Sequence, residues 1–170
     1  LFPEVDNAIE DICNEAIVMG SDRKPVKVGL GSVKLSETIK NKMQTEFDYV
    51  LRLMDFHKKA YEIFRKWYVD SKLYYQIIID EKDPIRGIQE LRPIDPTKLK
   101  KIRKVIRDKS STGNQVSTVK KIEEYYVYTN TEQDSVYPTS NTGLNITKDS
   151  IAYASSGLVD ANSKRVVGYL

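Results

Sequence analysis

The chain is poor in the residues from which most chemical sites are built: its 170 residues include one cysteine and one histidine. The lone Cys13 excludes an intrachain disulfide and a metal site made of several thiolates, and it fits a reducing compartment. His57, without a second histidine, lacks the partners that metal binding generally needs, and no nucleophile and orienting carboxylate accompany it in a recognisable motif. No stretch approaches the ~20 consecutive apolar residues of a membrane-spanning helix. There is no charged-then-apolar leader, so nothing points to secretion. The chain starts at Leu1 and stops in an apolar segment at Leu170, and the expectation is an excerpt from a longer protein.

The composition itself is ordinary. Hydrophobic residues make up 40% and charged residues 30%, enough for one well-buried domain or two small ones. A formal net charge of +3 is too small to define a partner, so only the distribution of charge carries information.

Candidate sites reduce one by one to structural readings. Gly29-Leu30-Gly31-Ser32 is the only glycine-rich stretch near a helix start, but Val33-Lys34-Leu35 intervenes before Ser36. A phosphate loop would need Gly-Lys-Ser/Thr opening the helix, so this is a strand-to-helix connection. His57 is expected to face solvent or cap a helix. Cys13 lies beside an apolar stripe and among Asp11, Asn14 and Glu15, which reads as a buried small hydrophobe and not a reactive thiol. Asp80, Glu81 and Asp83 cluster in a turn without the spacing of a calcium loop. Asn145-Ile146-Thr147 matches a glycosylation acceptor, a match that is empty without a secretory context. The expectation is no catalytic residue, no metal, no cofactor and no small-molecule substrate.

The pattern along the chain is helices first, strands afterwards. Pro3 opens a helix with Val5, Ala8, Ile9, Ile12, Ala16 and Ile17 on one stripe and Gly20 as its stop. Val26, Val28 and Leu30 alternate as a short strand would. Ser36 caps a second helix whose buried face is Ile39, Met43, Phe47, Val50, Leu51 and Met54. Phe56, Ala60, Ile63, Phe64 and Trp67 form a third stripe; its continuity with the second is left open by the sequence. From residue 73 the character changes: 73–80 is a β-branched and aromatic strand, 88–94 a second, and the two suit an antiparallel hairpin. Pro93 places the second at an edge. Residues 121–129 form a further strand, and another is expected around 150–154. Polar segments 110–118 and 130–145 read as loops, and 110–118 and 131–145 are the candidates for ordering on contact with capsid or neck proteins. The fold class is therefore α+β: N-terminal helices (about 1–70), then a mainly antiparallel sheet of short strands (about 71–160). In the tyrosine pairs Tyr74-Tyr75 and Tyr125-Tyr126, one ring should face the core and the other outward.

One segment stands out for charge. Lys98, Lys100, Lys101, Arg103, Lys104, Arg107 and Lys109 interleave with Leu99, Ile102, Val105 and Ile106, and Asp108 is the only acid among them. As a helix the apolar residues make one stripe; as a strand the alternation is imperfect. Such a patch can meet DNA phosphates without reading sequence, meet an acidic neighbouring subunit, or remain solvated. No aromatic residue lies in the run to stack on bases.

The segments FRKWYVDSKLYYQIII (64–79), GIQELRPIDP (87–96), EEYYVYTN (123–130) and DSIAYASSGLVD (149–160), in this order, resemble the portal vertex, or head-tail connector, proteins of T-even-type tailed bacteriophages. The resemblance implies an N-terminal wing region of a longer chain and an extended conformation for 98–107, which inclines the choice there to strand. It also implies a helix beginning near VVGYL. The implied protein is a structural, non-enzymatic subunit of a ring of twelve at the portal vertex of the capsid, assembled in the host cytoplasm and carried in the virion. Its implied partners are further copies of itself, the major capsid protein, the large terminase packaging motor, neck and tail-completion proteins, and double-stranded DNA passing through the channel. Lys98, Lys100, Lys101, Arg103, Lys104 and Arg107 would be subunit or DNA phosphate contacts. The alternative from another class is a nucleic-acid-binding module that uses segment 98–109.

Overall fold

A computed structural model of the chain describes residues 2–18, 20, 24–108, 118–129, 143–162 and 165–169. Helix α1 (Pro3–Ala16) starts where Pro3 supplies a preset φ after an extended Phe2, and Glu4 and Asp6 complement the positive end of its dipole. The helix stops before Gly20: Ile17 leaves helical geometry at φ −105°, ψ 76°, and its amide still donates to the Cys13 carbonyl at 3.0 Å. The buried face is also rotated from the expected stripe. Ile9 and Cys13 are fully enclosed, whereas Val5 and Ile12 are each 37% exposed.

Residues 24–30 carry no strand. Their alternation is real, but among the described residues no strand pairs with them, and an extended segment outside a ladder is not a sheet element. Helix α2 (Glu37–Leu53) begins as expected, with the Ser36 hydroxyl accepting from the Ile39 amide. Its core contribution is narrow: Leu51 is buried, but Ile39, Met43 and Val50 lie exposed. Asp55 settles the continuity of α2 with α3 (Phe56–Asp70). It sits in the left-handed region at φ 50°, and with Met54 it separates the two helices.

Helix α3 packs against both α1 and α2. Arg65 on α3 holds Asp6 on α1 at 2.6 Å. Phe64, Trp67 and Tyr68 cluster as expected of large anchors, and the ring of Tyr169 stacks on Tyr68 with centroids 5.3 Å apart. Ser71 ends the helix at φ 61°, buried, and its carbonyl accepts from the Ser156 amide. Residues 165–169 carry no helix; Val166 instead forms an antiparallel bridge with Val159.

The strands are β1 (Lys72–Ile79), β2 (Ile88–Ile94), β3 (Leu99–Asp108), β4 (Thr118–Tyr128), β5 (Leu144–Thr147) and β6 (Ile151–Ser155). They form two three-stranded sheets, β2-β1-β6 and β3-β4-β5, so the architecture is α+β with mainly antiparallel strands. β2, with Pro93, lies at a sheet edge as anticipated. β5 starts in the last two residues of the expected loop and runs on past it, and the rest of the expected loops at 110–118 and 130–145 lies almost wholly outside the described residues.

The chain divides into two compact units. One holds Leu1–Lys72, Gln89–Leu91 and Ser155–Leu170, and the other Leu73–Ile88 and Arg92–Ala154. The second has its own core of Tyr74, Leu99, Tyr126 and Ile151, bordered by Ile94, Tyr128 and Ile146. Tyr74 and Tyr126 meet edge to face at 5.8 Å, and Tyr153 stacks on Tyr74 at 5.0 Å. Burial pushes the Tyr74 phenol up to about 12. Tyr75 and Tyr125 are half-buried, so the core side of each tyrosine pair is fixed by the strand alternation.

Candidate functional site

The basic segment forms a strand. β3 pairs antiparallel with β4 over its whole length, from Leu99 opposite Tyr128 to Asp108 opposite Thr118, with one irregularity between Ile106 and Arg107. The helical stripe of Leu99, Ile102, Val105 and Ile106 is overruled by this ladder, which satisfies backbone groups that a short solvated helix would leave less protected.

Alternation then sorts the side chains. Leu99, Lys101, Arg103 and Val105 share one face of the sheet with Tyr128, Tyr126, Glu124 and Ile122, their partners in register. Lys100, Ile102, Lys104 and Ile106 share the other face with Val127, Tyr125, Glu123 and Lys121. Leu99 and Tyr126 belong to the core, so the first face is buried at one end and opens to solvent at the other. Lys98 precedes the strand in a turn, and its carbonyl accepts from the Thr129 amide at 2.9 Å. Lys100 is half-buried. Arg107 lies on the β3 backbone opposite Val119, its side chain outside the described atoms, and Lys109 is outside the described residues.

A carboxylate that the sequence reading passed over organises the rest. Glu124 receives Lys148 at 2.9 Å, Lys101 at 3.4 Å and Arg103 at 3.8 Å. The Lys148 hydrogen bond, then the nearby Lys101 charge, hold its carboxyl below the usual carboxylate range. Its neighbour Glu123 is lowered in the same way, first by a hydrogen bond from Lys121 at 2.8 Å and its charge, with Lys104 adding a smaller pull. The signal was present in the sequence as Lys120-Lys121-Ile122-Glu123-Glu124. It becomes legible once β4 is known to lie beside β3, because opposite charges directly across a ladder attract.

β5 pairs only with Tyr125, Tyr126, Val127 and Tyr128 of β4. Beyond it, among the described residues, the remaining stretch of β3 and β4 is a two-stranded ribbon. There Val105 and Ile122 face each other, 41% and 47% exposed, on the face that carries Arg103, while Lys104 and Lys121 lie on the opposite face. The arrangement offers basic and partly apolar surface on a paired ladder, and among the described residues it assembles no nucleophile, base or oxyanion pocket.

The other candidates fall where structure, not chemistry, puts them. His57 is exposed in the first turn of α3. Cys13 is enclosed, and burial raises its thiol. Asp80 accepts from the Lys82 amide and Asp83 pairs with Arg86 at 3.3 Å, both within their own turn. Asn145 sits in β5 opposite Val127. The Gly31 region is a turn in which the Val33 amide donates to the Leu30 carbonyl. Among the described residues no group of three or more His, Cys, Asp or Glu side chains could hold a metal ion, and no helix is long and apolar enough to cross a membrane.

Comparison with known proteins adds what the geometry alone does not. The family model for bacteriophage T4-like portal protein (Gp20) matches residues 1–170. A portal protein of Vibrio phage KVP40 is 38% identical over 176 residues, covering 99% of this chain and 33% of that protein. A portal protein of Salmonella phage ViI is 29% identical over 166 residues, covering 91% of this chain and 29% of its own length. The chain thus spans about a third of the length of these curated relatives.

Proposed function

The chain belongs to the bacteriophage T4-like portal protein family, and from that premise we propose that it is the wing region of a structural subunit in a phage portal ring. The observation that carries this reading is the match along the whole chain, residues 1–170, supported by two phage portal proteins aligned over 91% and 99% of it. In this reading the full-length protein closes into a ring of twelve at the capsid vertex. It supports head assembly, docks the large terminase motor, passes double-stranded DNA through a central channel, and later holds the neck and tail-completion proteins. The major capsid protein surrounds it. The wing contributes packing surfaces and no chemistry of its own, and the protein resides in the virion after assembly in the host cytoplasm.

The physical fit is direct. A ring of identical subunits needs two different, complementary patches on each copy, held on elements stiff enough to keep their geometry. The β3–β4 ladder is such an element, and Lys98, Lys100, Lys101, Arg103, Lys104 and Arg107 lie along it or at its start. The same residues weigh against the nucleic-acid-binding alternative, because Lys101 and Arg103 are already engaged with Glu124. The test is the mass of the full-length protein in solution under conditions that permit assembly. A species of twelve subunits supports the reading; a uniform monomer across concentrations overturns it.

A further inference from the structure

Helix α2 holds more apolar surface than its neighbours cover. At about 100° per residue, Ile39, Met43, Phe47, Val50 and Met54 fall within about a quarter of the helix circumference, a sector free of charge. α2 packs on α3, and Leu51, at the margin of that sector, is buried. Within the sector Ile39 is 49% exposed, Met43 43% and Val50 37%, and Phe47 and Met54 are half-buried. Among the described residues the three helices together bury only Ile9, Cys13, Leu51 and Ala60. Helices so thinly cored are marginal in water, because helical stability in proteins comes mostly from packing an amphipathic face.

Shape and chain length identify the cover. Ile39, Met43 and Phe47 make one ridge at four-residue spacing, Val50 and Met54 make a second beside it, and a groove of this kind receives another helix. About two thirds of the Vibrio phage KVP40 relative lies outside the matched segment, so a parent chain of that length has ample sequence to supply one. A face on which the folding of α2 depends has to be covered within the subunit, before copies meet. A segment of the same chain is also held nearby at an effective concentration of about millimolar, ahead of a second copy in dilute solution.

We propose that this sector of α2 seats an amphipathic helix from the part of the full-length subunit outside residues 1–170, with its apolar residues in the groove between the two ridges. The contact is intramolecular, so α2 belongs to the core of its own subunit and not to the interface between copies. The proposal needs a longer parent chain but no ring, and it stands or falls separately from the ring reading.

The test uses full-length protein with p-benzoylphenylalanine in place of Met43, or of Ile39 in a second variant, prepared in isotopically light and heavy forms and mixed before assembly. Illumination should join either position to a peptide from outside residues 1–170, and every such link should be light-to-light or heavy-to-heavy. Mixed light-to-heavy links put a second copy on the face, and links confined to residues 1–170, or none, leave it without the proposed cover; each of these overturns the inference and leaves the ring reading standing. In the wild-type protein, where no variant can fail to fold, peroxide should oxidise Met43 about tenfold more slowly than in the urea-unfolded chain. A rate near that of the unfolded chain overturns the inference as well. Intrachain links in a protein that forms no ring keep the inference and remove the ring reading.

Discussion

Replacing Tyr126 by alanine is the sharpest test of how the β-rich unit is held together. The ring is 3% exposed, lies in the cluster with Tyr74, Leu99 and Ile151, and meets Tyr74 edge to face at 5.8 Å. A buried aromatic side chain removes about 150–250 Å² from water, which at ~25 cal/mol per Å² is about 4–6 kcal/mol as an upper bound. Measured truncations of this kind cost about 3–5 kcal/mol, and that is the expected loss here. Its sequence neighbour Tyr125 points to the opposite face and is half-buried, so Tyr125→Ala should cost about 1 kcal/mol. Urea titrations followed by near-ultraviolet circular dichroism would read both. A double-mutant cycle of Tyr74→Leu with Tyr126→Leu should return a coupling of about 0.5–1.5 kcal/mol. Equal costs for Tyr125→Ala and Tyr126→Ala, or the reverse order, would refute the assignment of faces on which the whole ladder register depends.

Gly143→Ala should destabilise the attachment of β5 by about 1–3 kcal/mol, because the new methyl would run into the Val127 side chain and lie 3.2 Å from the Tyr128 carbonyl oxygen; unchanged urea midpoints would contradict this. Ser71→Gly should stabilise by about 0.5–1 kcal/mol, and Ser71→Val should destabilise, because the φ of 61° that ends α3 suits glycine and strains a β-branched residue; thermal melts showing the opposite order would be decisive against it. The Glu123 and Glu124 carboxyls are held below the usual range, so their contribution is present at neutral pH and above the unfolded carboxylate pKa. It is lost as pH falls from about 5 through the depressed folded values, where the unfolded chain binds protons first. Carboxyl NMR titration should show Glu124 protonating below ordinary glutamates, and Lys148→Met should return it toward them.

Much of this architecture is legible in the sequence, for identifiable reasons. Pro3 and Ser36 mark helix starts because a fixed φ and a hydroxyl acceptor act locally, and both helices begin beside them. β1 and β2 follow from β-branched and aromatic residues bounded by turn formers. What escapes local reading depends on distant partners. Asp55 gives no sequence sign of its positive φ. Val26, Val28 and Leu30 alternate like a strand but find no strand to pair with among the described residues, whereas 99–108 has a helix-like stripe and finds β4. β5 hides in a polar stretch because it is only four residues long and its single half-buried side chain is Ile146. The Glu124 cluster joins residues from β3, β4 and the turn after β5, so it becomes visible only when the strands are aligned. The rotated face of α1 has the same origin: Asp6 is drawn inward by Arg65, a residue 59 positions away.

The central claim, that this segment is the outer wing of a portal ring, is tested most directly by imaging the full-length protein with the segment marked. The turn holding Ile85, whose side chain is 97% exposed, accepts a short epitope with little disturbance to β1 or β2. Electron microscopy of particles bound to an antibody fragment against that epitope should show rings with a central hole and extra density around the outer rim. Particles without a ring, or rings whose added density lies on the channel axis, would contradict the account.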